Sequence, residues 1–154
     1  MLKFKSKIFE EITVDGLIDL KAERTFKWFK TFDLKISKED KHILTLSTSN
    51  DFLTTKFSVQ YNQTDFQITV ENDSVMIFDN ERFEIKVNRM YPFMKKYGDI
   101  WCCNKKIGEL LFEKKFLNIE LYFSPEQSII INEQTALKIA CLVLLNIADL
   151  DGSE

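Results

Sequence analysis

The sequence predicts a mainly β domain of about ten to twelve short antiparallel strands, closed into a barrel around one apolar C-terminal helix. Three observations carry this. Polar turn clusters recur about every 8 to 12 residues, the spacing of many short strands. Between them apolar residues alternate with period two. Near the C-terminus the chain turns apolar almost all round a helical wheel, and a helix of that kind must be enclosed by protein.

Length and composition fit one domain spanning residues 1–154, long enough to bury roughly two-thirds of the surface its unfolded chain exposes. Apolar residues at 45% and charged residues at 29% are globular proportions. Fourteen Phe against four Gly and two Pro lean towards sheet, because aromatic side chains fit a pleated, half-buried surface. An AT-rich genome accounts equally well for many Phe, Asn, Lys and Ile.

Met1-Leu2-Lys3-Phe4-Lys5-Ser6-Lys7 carries charge without an apolar run behind it, so no secretory signal is expected there. Turn clusters fall at Asp15-Gly16, 38–41, 49–51, 62–64, Asn72-Asp73, 79–81, 104–106 and Lys114-Lys115. Residues 26–36 read as one long strand, with Phe26, Trp28, Phe32, Leu34 and Ile36 on one face. The same alternation marks 42–47, 57–61, 66–70, 75–77, 83–87 and 119–123. So many strands exceed what an open sheet holds before it curls, and closure removes the edges. After Ser124-Pro125-Glu126, Asn132 is a good N-cap for a helix over about 133–150, with Glu133 suiting its dipole. Thr135, Lys138, Asn146 and Asp149 line one narrow stripe with Leu142 among them, and the rest of the wheel is apolar. The run 136–148 is too short and too polar for the roughly 20 residues of a membrane span.

The last third of the chain resembles the tubby C-terminal and LURP-one-related superfamily. The resemblance rests on Tyr97-Gly98-Asp99-Ile100-Trp101, on Ile107-Gly108-Glu109-Leu110 before Lys114-Lys115, on 116–123, and on the apolar helix ending at Ala148-Asp149. It implies about a dozen strands wrapped around that helix. Phosphoinositide binding by tubby proteins depends on basic positions that do not align here, so no binding residue is carried over. The scramblase branch would bring a Cys-rich palmitoylated segment and a terminal membrane helix, and both are missing from this sequence. A pleckstrin-homology barrel, with seven core strands and an amphipathic capping helix, is the rival fold.

The net charge of −3 and pI near 5.3 argue against nucleic acid as a partner, since such binders present a dense basic surface. No membrane-spanning segment and no cofactor are expected. His42, the single histidine, excludes His-rich metal sites and is expected at a strand end. Cys102, Cys103 and Cys141 make an odd count; the first two, as strand neighbours, point to opposite faces. Reduced thiols in a cytoplasmic protein are the expectation, with Cys141 in the core. There is no Gly-x-Ser-x-Gly turn and no glycine-rich phosphate loop. Asp149-x-Asp151-Gly152 opens like a calcium loop, yet only two residues follow in this sequence. No catalytic residue and no metal ligand are assigned, and the reading is non-enzymatic.

Lys95-Lys96, Lys105-Lys106 and Lys114-Lys115 fall near successive turns, and alternate turns of a barrel share a rim. Two pairs on one rim would meet an anionic lipid surface, whereas lysines that only solvate turns are the plain alternative. The leading expectation is therefore a tubby-like binding module for anionic lipid. A small protein-interaction domain of the immunity or antitoxin type is the second, marked by an exposed Phe or Trp patch. A carrier of an enclosed hydrophobic ligand is the third, and it requires a hollow interior.

Overall fold

The computed structural model describes residues 1–6, 11–28, 31–51, 53–88, 95–115 and 118–152. The strands are β1 (Leu2–Ser6), β2 (Glu11–Gly16), β3 (Leu20–Phe26), β4 (Phe32–Lys38), β5 (Lys41–Asp51) and β6 (Thr54–Asn62). They continue with β7 (Ile68–Asn72), β8 (Val75–Phe78), β9 (Glu81–Val87), β10 (Lys96–Cys102), β11 (Lys105–Lys115) and β12 (Asn118–Pro125), followed by α1 (Glu133–Gly152). All twelve strands join one antiparallel sheet in the order β6-β5-β4-β3-β2-β1-β12-β11-β10-β9-β8-β7. Each strand pairs with its sequence neighbours except at β6 and β7, and β1 pairing with β12 joins the two ends of the chain's strand order. The seven-strand rival is thereby ruled out.

The barrel is nearly closed. β6 and β7 are the two ends of the ladder, and their inward residues Phe57, Val59, Ile68 and Val70 are only partly buried against the core.

Alternation sets the faces. Leu2 and Phe4 pair with Phe123 and Leu121 on one side, and Phe4 pairs with Val14 on the other. All are buried, while Lys3 and Lys5 between them lie on the opposite face. Gly108 stands in the same lining because a Cβ there would lie 2.4 Å from the Phe123 ring and 2.6 Å from the Ser124 carbonyl. Only glycine permits so close an approach.

The helix occupies the interior. Every residue over 138–148 is buried, which is three full turns and therefore the whole circumference. Asn132 caps its start, with Oδ1 accepting from the Thr135 amide at 2.8 Å. Cys141 is 1% exposed, the core position expected for it. The two buried polar members of the stripe, Lys138 and Asn146, survive inside because each finds a partner. Lys138 Nζ reaches Glu81 Oε1 at 2.7 Å and lies over the Phe66 ring. Tyr97 donates to Asn146 Oδ1 at 2.6 Å, and Asn146 donates to the Asp73 carbonyl at 3.0 Å. The helix has no basic residue in its last turn; Arg24 of β3 supplies the charge, donating to the Ala148 carbonyl at 2.6 Å. A cation there complements the negative end of the helix dipole.

Two sequence expectations fail locally. Residues 26–36 are two strands, since β3 ends at Phe26 and β4 starts at Phe32. Lys27 donates to the Thr31 carbonyl at 2.8 Å, and the Thr31 amide and hydroxyl return to the Trp28 carbonyl. This turn takes Trp28 off the core face, leaving it 77% exposed. Cys102 and Cys103 do not continue a pleat either, because Cys103 sits at φ 50° in the β10–β11 turn and brings its Sγ to 3.8 Å from that of Cys102.

Candidate functional site

Meander topology sorts the connections between two rims. Turns β2–β3, β4–β5, β6–β7, β8–β9 and β10–β11 gather at the rim where α1 begins, shown by Lys38 of β4 meeting Glu133 at 2.6 Å and by Glu81 meeting Lys138. This is the entry rim. Connections β1–β2, β3–β4, β5–β6, β7–β8, β9–β10 and β11–β12 gather at the far rim, where Asn146 meets Asp73 and Ser74.

Sequence and topology together make the rims opposite in charge. Entry-rim connections carry Asp19, Glu39, Asp40, Asp65, Asp79 and Glu126 and no basic residue. Among the described residues, far-rim connections carry Lys27 and Lys95 against Asp73. The far rim also presents large apolar side chains: Trp28 at 77% exposure, Leu53 at 89% and Phe26 at 48%. β3–β4 and β5–β6 are alternate turns of adjacent hairpins, so these three side chains occupy one sector of that rim. Arg24 lies beneath Phe26, its guanidinium carbon 4.4 Å from the ring centroid.

The lysine pairs divide between the rims. Lys95-Lys96 and Lys114-Lys115 belong to the far rim, since Lys96 pairs with Leu111 and β11 runs on to Lys115. Lys105-Lys106 starts β11 at the entry rim. Lys95 and Lys105 are exposed; the side chains of Lys114 and Lys115 lie outside the described part. Lys96 and Lys106 meet each other's partners in a network on the outer face. Asp99 and Glu109 are opposed across β10–β11, a like-charge pairing that costs stability unless bridged. Lys96 Nζ lies 2.7 Å from Asp99 and 3.2 Å from Glu109, and Lys106 Nζ lies 3.4 Å and 2.7 Å from the same two. The Lys106 hydrogen bond, then that of Lys96, holds the Glu109 carboxyl below the usual range. Asp99 and Glu109 hold the Lys96 ammonium above its ordinary value. These two lysines are already matched by acids.

Other chemistry is sparse. His42, near the start of β5, stacks on Tyr61 with centroids 4.2 Å apart, and its Nε2 lies 2.5 Å from Thr45 Oγ1. An open cleft of about 300 Å³ lies at the entry rim, where Ile18, Ile43, Phe66 and Leu137 meet Lys38 and Glu133. Burial first, and Cys103 second, push the Cys102 thiol up to about 12, so it is protonated at neutral pH and a poor nucleophile. Burial alone pushes Cys141 to about 12.

At the far rim the half-buried Asp149 carboxyl is pushed up to about 6, by burial and then by Asp73. Among the described residues no helix is long and apolar enough to cross a membrane.

Sequence reasoning placed Phe26 and Trp28 in the core and so missed the far-rim patch. The order Lys27-Trp28-Phe29-Lys30, aromatics bracketed by lysines, was the available signal. No family model matches the chain, and no curated protein or solved structure is significantly similar to it.

Proposed function

We propose that this chain is a non-enzymatic binding module of the tubby-like, LURP-one-related kind whose far rim docks on an anionic lipid surface. The observation that carries the reading is Trp28, 77% exposed on a turn bracketed by lysines, with Phe26 and Leu53 in the same sector. Trp favours the level of lipid headgroups, where an apolar ring meets a wet interface. Basic side chains near an anionic surface each contribute about 1 kcal/mol; among the described residues the far-rim connections carry Lys27 and Lys95 against Asp73, and the entry-rim connections carry no Lys or Arg. The acidic entry rim would face away. The enclosed helix leaves the barrel filled, which favours a surface ligand over a carried one.

Flotation of the protein with vesicles of phosphatidylcholine, with or without phosphatidylserine, at low and physiological salt tests this. Binding is expected only with the anionic lipid, weakened by salt, and reduced about tenfold by Trp28→Ser, a loss of about 1.4 kcal/mol. Lys27→Glu with Lys95→Glu should abolish it, and Lys105→Glu on the entry rim should not. No binding to either vesicle sinks the lipid reading and turns the same patch into a protein-docking surface.

A further inference from the structure

The β10–β11 hairpin turns on Cys103 and Asn104, with φ of 50° and 67°, the type I′ geometry that follows the twist of the strands. Because Cys103 has left the pleat, both thiols of the vicinal pair stand on the same side of the turn, Sγ to Sγ 3.8 Å. β9 ladders to β10 with Cys102 opposite Phe83, which brings Glu81, at the start of β9, alongside. The donor atoms of Glu81, Cys102 and Cys103 all lie within 4.8 Å of one another.

We propose that Cys102, Cys103 and Glu81 form a site for one thiophilic divalent cation of the zinc class at the entry rim, with a fourth position open to water or an added ligand. Zinc binds thiolate at about 2.3 Å and carboxylate at about 2.0 to 2.2 Å in a tetrahedron. Two sulfurs at that bond length and angle stand about 3.8 Å apart, the separation already present here. Cys103 and Glu81 are exposed and Cys102 is half-buried, so the ion has an entry path. Glu81 is exposed, and ligation would draw its carboxylate in from a donor separation already within 4.8 Å. Two thiolates and a carboxylate exceed a divalent ion by one negative charge. Lys138 balances it, its ammonium 2.7 Å from Glu81 Oε1 and well placed as an outer-sphere donor. On binding, two S–H protons leave to solvent as two metal–sulfur bonds form, since a coordinating thiol is deprotonated outright. Sulfur donors select against magnesium and calcium. The bound ion would clip the β8–β9 and β10–β11 hairpins together over the second turn of α1.

The test is a titration of the full chain, kept reduced by a phosphine, with cobalt(II) as a spectroscopic probe and zinc(II) as competitor. One equivalent of cobalt should give sulfur-to-metal charge-transfer absorption and the strong visible bands of tetrahedral cobalt, all removed by one equivalent of zinc. Cys102→Ser and Cys103→Ser should each remove the charge-transfer bands while far-ultraviolet circular dichroism stays unchanged. Glu81→Gln should weaken binding at least about tenfold, and Cys141→Ala should leave the spectrum as it was. Absence of charge-transfer absorption at one equivalent, or its persistence in Cys103→Ser, overturns the site.

Discussion

The two rims of this barrel are made by the same meander yet differ in nearly every respect. The entry rim is closed largely by tight turns, two of them with both central residues at positive φ (Glu39-Asp40 and Cys103-Asn104), and it is acidic. Among the described residues the far rim carries Lys27 and Lys95 against Asp73 in its connections, and it presents exposed Phe26, Trp28 and Leu53. The helix differs end to end as well. At the entry rim its partners are ion pairs, Lys38 to Glu133 at the surface and buried Lys138 to exposed Glu81. At the far rim they are the buried hydrogen bonds of Arg24, Tyr97 and Asn146. A rim of tight turns with paired charges reads as scaffold, while an exposed Trp and Leu side by side on neighbouring hairpins cost solubility and call for a use.

The largest expected effect lies between the rims. Leu142 is 0% exposed, so Leu142→Asp buries an unpaired charge inside the barrel and should cost at least about 3 kcal/mol in denaturant unfolding, or prevent folding. A loss below about 1 kcal/mol would break the threaded-helix description. Ile130→Asp at the entry rim, 95% exposed, should stay within about 0.5 kcal/mol.

Arg24→Met sharpens the contrast between the helix ends. Losing a charge-assisted hydrogen bond to the Ala148 carbonyl should cost about 2 kcal/mol. Lys38→Met, which loses only the exposed partner of Glu133, should leave the unfolding midpoint unmoved. Equal losses at both ends would erase the distinction.

Asp149 gives the far rim a pH signature. Its folded pKa, about 6, lies above the ordinary 3.8, so between these values the folded chain holds more protons than the unfolded one. Its contribution is present in full below about pH 4 and is lost as pH rises through about 6. Asp149→Asn should flatten that slope and raise stability at pH 7 by about 1 kcal/mol, allowing for solvent screening of a half-exposed group. Unfolding midpoints measured across pH 4 to 8 check it, and an unchanged slope counts against the Asp73–Asp149 coupling.

Trp28→Ser should also change stability little, within about 0.5 kcal/mol, while producing the vesicle-binding loss described above. A large destabilisation would instead return Trp28 to a structural role.

Much of the architecture was legible because it rests on local periodicity. Alternation such as Phe83-Ile85-Val87 and the all-round apolar wheel over 136–148 require no knowledge of the partner strand to announce a sheet and an enclosed helix. The candidate site was legible only in its ingredients. Lys95, Lys96, Lys105 and Lys106 were visible as basic pairs, but the rim each occupies and the acids that neutralise Lys96 and Lys106 follow from cross-strand register. Phe26 and Trp28 kept the alternation of a strand across a turn, so period alone placed them on the wrong side of the surface.

By itself the sequence determined that about ten to twelve short strands must pair, that the last segment is a helix needing enclosure, and that no dense basic surface covers the molecule. The tertiary structure alone decided that Arg24 caps a helix 124 residues downstream and that neighbouring cysteines face the same way. It also decided that acidic turns and aromatic turns part to opposite rims. The reason is physical: hydrophobic periodicity is written residue by residue, whereas a side chain's neighbours are set by β-ladder register and turn handedness, which exist only once strands far apart in the chain have met.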